Sequence, residues 1–295
     1  MAAINGATAL VGVLGDPVRH SLSPVMHNAA LRELGLNWVY LALPTPAARL
    51  ATVLEGLEAM DCRGLNVTLP HKQAVAALVA ERSALAEQVG AVNTLVRRAA
   101  GGWHGTNTDV EGFLAPLRGL ERPRCALVLG CGGSARAVIA GLGAQGVERI
   151  GVAARRPEAW GALLESCRAW APALSGVSWA EGLGSWLGAA DLVVNTTPVG
   201  MASATDPAAT RHCPLTAEEL AALRPGAMVY DLIYTPRPTT LLQEAAARGC
   251  RAQDGLEMLV QQGAAALRLW SGVEAVPVEA MRQAALEALE GRAAP

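Results

Sequence analysis

The stretch that most constrains this fold is Cys125-Ala126-Leu127-Val128-Leu129 running directly into Gly130-Cys131-Gly132-Gly133-Ser134-Ala135. The five apolar residues read as a buried strand, and Ser134 through Leu142 reads as a helix. A GxGxxA pattern at such a junction has a mechanical meaning. Gly130 permits the tight turn, Gly132 lets a pyrophosphate approach the backbone, and Ala135 keeps the helix close to the sheet. The junction implies an α/β architecture with a parallel sheet and makes the loop a candidate dinucleotide site. A glycine-rich turn without a ligand is the structural alternative.

The second strand of this unit reads as Arg149 to Ala154. At its end an acid would select NAD by bonding the ribose 2′-hydroxyl. Arg155 and Arg156 stand there instead, and arginines suit the 2′-phosphate of NADP through bidentate, charge-assisted hydrogen bonds. Glu158 follows closely and keeps NAD open, and two solvated surface arginines are the plain alternative. Further along, 157–171 reads as a helix, 177–179 as a short strand, Asp191 to Asn195 as a strand ending in Thr196-Thr197, and 202–215 as a loop. Met228 to Leu232 reads as a strand, 238–248 as a helix, and Asp254-Gly255 closes the unit. Leu120 to Arg124 reads as the linker before it.

With 295 residues there is room for two domains, and 52% hydrophobic against 17% charged residues supports large cores. A formal charge of −2 argues against a general nucleic-acid or membrane-surface binder. No apolar run reaches spanning length and no leader pattern opens the chain, so a cytoplasmic protein is expected. The six cysteines are scattered and none forms a CxxC, so reduced thiols and no metal site are expected.

The first part of the chain also alternates strands and helices. Ala9 to Gly15 reads as a strand, followed by a turn at Asp16-Pro17 and by His20-Ser21-Leu22-Ser23-Pro24 opening a helix. Ser23 suits the N-cap, and the two hydroxyls also suit an anion such as a carboxylate. Trp38 to Leu43 reads as a strand, Pro46 to Met60 as a helix, Gly64 to Leu69 as a strand, and a helix then runs to about Ala80. Lys72 falls in its first turn and is the one lysine among 24 Lys+Arg residues. Free N–H groups there disfavour an ammonium, and a depressed amine suits proton transfer near neutral pH. Ala91 to Val96 reads as a strand, with a hairpin turn at Gly101-Gly102. Asp109, opening the next helix, is a cap or the partner of Lys72. Helices at 256–270 and 277–290 finish the chain, and the sheets are expected to be mostly parallel.

Taken together these segments resemble the shikimate dehydrogenase family over nearly the whole chain. The resemblance rests on His20-Ser21-Leu22-Ser23-Pro24, Asn66 to Lys72, Gly90 to Thr94, Gly105 to Asp109, Gly130 to Ala135, Tyr230 to Tyr234 and Asp254 to Gln262, in family order. It implies two α/β domains flanking a cleft. A substrate-binding domain would take 1–108 plus 256–295, and a Rossmann-type NADP-binding domain would take 109–255. The implied reaction is reversible, NADPH-dependent reduction of 3-dehydroshikimate to shikimate by a monomer or homodimer.

Carried over by position, Ser21 and Ser23 would bind the substrate carboxylate. Asn66, Thr68, Asn93, Asp109, Tyr234 and Gln262 would line the ring, and Lys72 paired with Asp109 would be the acid/base. Gly130 to Ala135, Ala154, Arg155, Arg156, Thr196, Thr197, Leu232 and Gly255 would hold NADP. The chain departs from the NADP-specific pattern in having Ala154-Arg155-Arg156 and Ala159, while Pro157 replaces the acid of quinate/shikimate dehydrogenases. The Thr68 methyl is expected to crowd a further ring substituent and so favour shikimate over quinate. A quinate/shikimate dehydrogenase with mixed cofactor use, a methylenetetrahydrofolate dehydrogenase-like enzyme and a silent NADP-binding sensor are the other readings. The Ser21/Ser23 pair and the Asp109 motif speak against the second, and the presence of Lys72 with Asp109 speaks against the third.

Overall fold

The computed structural model describes residues 4–155, 157–203 and 206–293. The chain forms two compact units, Met1–Gly112 with Leu259–Pro295, and Phe113–Met258.

In the first unit the chain runs through β1 (Ala9–Gly15), α1 (Ser23–Glu33), β2 (Trp38–Pro44), α2 (Leu50–Ala59), β3 (Gly64–Val67) and α3 (Lys72–Ala76). It continues through β4 (Glu81–Arg82), α4 (Ala84–Val89), β5 (Thr94–Arg97), β6 (Trp103–Thr106) and α5 (Asp109–Leu114). The strands form one sheet in the order β2-β1-β3-β5-β6-β4. Central β1 pairs in parallel with β2 and β3, and helical crossovers make that possible. The sheet is more mixed than expected. Gly101 and Gly102, with φ of 87° and 72°, close a hairpin that makes β5 and β6 antiparallel, and β3 with β5 is antiparallel too.

Several boundaries differ from the sequence reading, among them the strand read at 177–179, which is Leu174–Ser178, and the helix read at 157–171, which ends at Cys167. Two further differences have identifiable reasons. Helix α3 stops at Ala76 rather than near Ala80, because the chain swings away to the sheet edge. There Ala80 N donates to Trp103 O and the unforeseen strand β4 pairs with β6. Ser23 is the first residue of α1 and not its cap; Leu22 holds the cap position with no side-chain bond.

The second unit contains β7 (Cys125–Leu129), α6 (Gly133–Ala144), β8 (Arg149–Ala154), α7 (Pro157–Cys167), β9 (Leu174–Ser178) and α8 (Leu183–Ala189). It goes on through β10 (Leu192–Asn195), α9 (Ala217–Ala221), β11 (Met228–Asp231), α10 (Thr240–Ala247) and β12 (Arg251–Gln253). Its sheet is parallel throughout, in the order β12-β11-β10-β7-β8-β9. Strand order reverses between β7 and β10, the switch point of a doubly wound sheet. All five residues of β7 are buried, which explains the uninterrupted apolar run. The linker read at Leu120–Arg124 does not divide the units. Phe113 and Leu117, before it, already belong to this unit's core, where Phe113 stacks on Tyr230 at 5.5 Å between ring centroids.

The last helices are α11 (Leu256–Ser271) and α12 (Val278–Ala293), and α12 packs on α1. Trp270 of α11 ties the end of the chain into the first sheet. Its indole N–H donates to Leu95 O at 2.9 Å and the ring lies on Gly64. A Cβ at Gly64 would fall 2.1 Å from the indole nitrogen.

Gly64→Ala is therefore expected to destabilise the protein by about 1–3 kcal/mol through overpacking. A thermal melt should show Tm falling by roughly 5 °C. An unchanged Tm would show that Trp270 does not seat on Gly64.

Candidate active site

Lys72 opens α3, and Thr68 to His71 separate it from the buried end of β3. His71 fixes its approach: its N–H donates to Thr68 O at 3.0 Å, and its buried ring sits 2.7 Å from Thr45 O through Nε2. The Lys72 Nζ donates to Asp109 Oδ2 at 2.6 Å, and the side chains are 13% and 6% exposed. A pair this shielded from water holds its charges only if its remaining polar atoms are satisfied.

Asn93 and Asn107 supply that satisfaction. Asn93 Nδ2 donates to Asp109 Oδ1 at 2.8 Å and contacts Gln262 Oε1 at 3.4 Å, while Asn93 Oδ1 accepts from Thr108 N at 2.7 Å. Asn107 Oδ1 accepts from Asp109 N at 3.0 Å, and its Nδ2 donates to Ala91 O at 2.9 Å. Lys72, Asp109, Asn93 and Gln262 thus form one connected group, although Gln262 lies far away in sequence. Asp109 opens α5, so its cap-like position and its pairing with Lys72 coexist.

Asn66 sits beside this group. Tyr40 Oη donates to Asn66 Oδ1 at 2.8 Å, and Asn66 Nδ2 lies 3.4 Å from Asn93 O and 3.3 Å from Thr94 Oγ1. The Ser23 side chain also lies by the Tyr40 hydroxyl. Ser21 Oγ accepts from Ser23 N at 3.1 Å, so the two serines form a local turn. His27, one turn further on, stacks on Tyr40 at 4.1 Å, and complete burial lowers its pKa to about 4, so it remains neutral. Thr68 departs from expectation. Its methyl rests against Gly15, where a Cβ would come within 2.5 Å of it. That methyl is engaged in packing, so the steric argument against an added ring substituent does not follow from this geometry.

In the second unit Gly130 has φ of +110°, which only glycine adopts without strain, and its N–H donates to Ala153 O at 2.8 Å. A Cβ there would lie 2.5 Å from Thr196 Oγ1, so the ends of β7 and β10 are drawn together by this glycine. Gly132 precedes α6 with no side-chain cap and nothing within 4 Å of where a Cβ would stand. The first N–H groups of α6 therefore have an open approach, which fits a pyrophosphate. Gly133 and Ser134 form the first turn of α6, and fully buried Ala135 lets it lie on the sheet. Burial pushes the Cys131 thiol up to about 11, so no thiolate opposes an anion.

Ala154 and Arg155 stand at the end of β8, beside a pocket of about 370 Å³ shared with Gly130, Gly132 and Thr197. Arg156 lies outside the described residues, as do the side chains of Glu158 and Ala159. Thr197 donates through its N–H and hydroxyl to Asn195 Oδ1. Gly255 presses on Leu232: a Cβ would fall 2.0 Å from Leu232 O. Tyr234 is half-buried in this second unit, not in the unit that carries the Lys72 group.

Among the described residues no cluster of three His, Cys, Asp or Glu side chains could hold a metal ion. None of their helices is long and apolar enough to cross a membrane. The sequence reading gave no site role to Tyr40, Thr94, Asn107 and Thr108, which hold the polar network, although the last three stand in motifs it singled out. It also omitted Trp179, Val199 and Pro214, which line the pocket. The Asn107-Thr108-Asp109 run carried a signal for two of these.

Comparison with known proteins decides the family. A profile of the shikimate dehydrogenase substrate-binding domain matches residues 13–95, and one of the shikimate 5′-dehydrogenase C-terminal domain matches 255–286. A protein of a Synechococcus species named shikimate dehydrogenase (NADP(+)) is 51% identical, over 96% of each chain. The chain belongs to the shikimate dehydrogenase family. Two crystal structures agree with this assignment. Shikimate 5-dehydrogenase from Thermus thermophilus, in complex with NADP(H) and shikimate, is 38% identical with a TM-score of 0.84, covering 96% of this chain and 100% of that one. A shikimate dehydrogenase in complex with NADP+ is 34% identical with a TM-score of 0.86, covering 97% and 98%. The shikimate dehydrogenase fold of two α/β units accounts for both sheets described above.

Buried Asp231 carries a pH signature in this fold. It accepts from Asn195 Nδ2, Ile233 N and Thr239 Oγ1, and so ties β10 and α10 to the segment bearing Leu232 and Tyr234. Burial raises its pKa from 3.8 to about 6 against the pull of those hydrogen bonds. The folded protein holds this proton more tightly than the unfolded chain. Asp231 therefore favours the fold most below its ordinary value, and that contribution is lost as pH rises through about 6, a span worth roughly 3 kcal/mol. Asp231→Asn should stabilise the protein relative to wild type increasingly as pH rises from 4 to 7, in urea unfolding at each pH. Parallel stability profiles would rule this out.

Proposed function

We propose that this protein is an NADP-dependent shikimate dehydrogenase, interconverting 3-dehydroshikimate and shikimate in the cytoplasm as a monomer or homodimer. The observation that carries this reading is the Lys72–Asp109 pair, 2.6 Å long and bound into one network with Asn93 and Gln262 in a chain of this family.

In this reading the first unit binds the substrate. The Ser21 and Ser23 hydroxyls hold its carboxylate, while Asn66, Thr68, Asn93, Asp109 and Gln262 bond the ring hydroxyls. The second unit holds NADP. The Gly130–Ala135 loop takes the pyrophosphate, Ala154 and Arg155 face the 2′-phosphorylated ribose, and Thr196, Thr197, Leu232 and Gly255 complete the binding surface. Bound NADPH supplies the hydride.

The chain's own part in the chemistry is proton management. As the carbonyl oxygen gains an electron pair, the Lys72 ammonium donates a hydrogen bond and then the proton, forming the alcohol and leaving a neutral amine. In the reverse direction that amine takes the hydroxyl proton. Asp109 holds Nζ in position and favours the ammonium as it re-forms. Asn93 holds Asp109 by bonding Oδ1 and leaves Oδ2 for the lysine. Such a positioned acid/base contributes roughly 10²–10⁴-fold to rate. Arginine could keep the charge at position 72 but could not release the proton.

Two experiments test the reading. Lys72→Ala and Lys72→Arg should each lower kcat by about 10²–10⁴-fold with KM for shikimate nearly unchanged; normal kcat in the arginine variant would remove proton transfer from Lys72. Initial rates for shikimate and quinate, each with NADP+ and NAD+, should favour shikimate with NADP+ over the other three combinations. Comparable quinate or NAD+ rates would move the protein to the quinate/shikimate type, and no turnover at all would favour a nucleotide-binding sensor.

A further inference from the structure

Trp179 belongs to neither the glycine loop nor the Lys72 network, yet it stands at the nucleotide pocket. The register explains its position. Strands β8 and β9 are parallel with Ala154 opposite Ser178, so Arg155 and Trp179 leave the two strand ends side by side. The indole is half-buried and packs on the apolar cluster that includes Leu127, Ala153, Val177 and Leu183, which fixes its orientation. The same side chain lines the pocket of about 370 Å³, together with Val199, Pro214 and the glycine loop. The Arg155 guanidinium carbon lies 5.9 Å from the Trp179 ring centroid.

The pocket has a polarity that orders a dinucleotide along it. Its glycine-loop end presents the free N–H groups of α6, suited to the pyrophosphate. Its other end is the terminus of β8, where a doubly wound domain reads the 2′ position of the adenosine ribose. The base on that ribose must lie close to Arg155, and the flat apolar surface there is the indole. An exposed cation is held weakly on an aromatic face. The guanidinium can therefore yield that face to a base and turn to the 2′-phosphate.

We propose that Trp179 is the adenine-binding wall of this enzyme, an aromatic platform for the purine that leaves Arg155 to recognise the 2′-phosphate. This rests on the NADP reading given above. The division of labour is specific: Trp179 contributes to every adenine nucleotide, whereas Arg155 discriminates among them.

Calorimetric titration with adenosine 2′,5′-bisphosphate and with ADP separates the roles without any turnover. Trp179→Ala should weaken both ligands by the same factor, about 10-fold or more. Trp179→Phe should restore most of the affinity, and Arg155→Ala should weaken the bisphosphate selectively. Thermal melts of each variant confirm folding. Loss confined to the bisphosphate in Trp179→Ala would mean that the indole merely seats Arg155, and would overturn the proposal. So would unchanged binding of both ligands, or a phenylalanine variant as weak as alanine. Failure of the wild-type protein to bind either ligand would instead overturn the nucleotide reading itself, and the adenine wall with it.

Discussion

The first unit depends on a single primary amide. Asn93 accepts from the Thr108 N–H and donates to the Asp109 carboxylate with the same planar group. Its main chain is bonded on both sides, Val67 N donating to Asn93 O and Asn93 N donating to Thr106 O. The pairing of β3 with β5 and β6 and the position of the ion pair are therefore one structural fact. An aspartate at 93 would set two anions face to face, and an aliphatic residue would leave the Asp109 oxygen and the Thr108 N–H without this partner. A shielded Lys–Asp pair is stable only inside such a set of bonds, because removing two charges from water costs more than their attraction returns unless other groups share the load.

The second unit works by leaving groups available. Thr216 and Thr239 cap α9 and α10 with their side chains, satisfying N–H groups at the helix starts. Helix α6 has Gly132 at its cap position and so no side-chain cap. A missing cap costs about 1 kcal/mol in a typical helix. Here it leaves donors aimed at open space beside the switch point, where a phosphate can use them. Gly130 makes this possible, because its positive φ turns the chain at once from strand to helix while Thr196 closes in from β10. A side chain at Gly132 would enter the open space that a ligand needs, and one at Gly130 would collide with Thr196.

Much of this was legible in local patterns. The apolar run into Gly130–Ala135, the strands at β1, β2, β7 and β8, and the two final helices all follow from periodicity and breakers, which depend on neighbouring residues alone. Lys72 stood out as the one lysine in an arginine-rich chain. The short elements were not legible. Strands β4 and β12 have no apolar run of their own and exist because a neighbouring sheet edge offers them partners. The end of α3 was misplaced for a similar reason, since the chain beyond it is drawn to a distant strand where Ala80 N donates to Trp103 O.

By itself the sequence determined the two α/β units, the glycine loop, the polar residues that follow each strand, and the family. Those features are local in the chain or lie in a fixed order along it. Tertiary structure alone decided which side chains meet. It placed Gln262 beside Asn93, turned the Thr68 methyl onto Gly15, and made Tyr40 the donor to Asn66. It also set Trp179 next to Arg155, because the β8–β9 register brings those strand ends together. Contacts of this kind depend on how strands pair and which face a side chain takes, and a residue's neighbours in sequence do not encode either one.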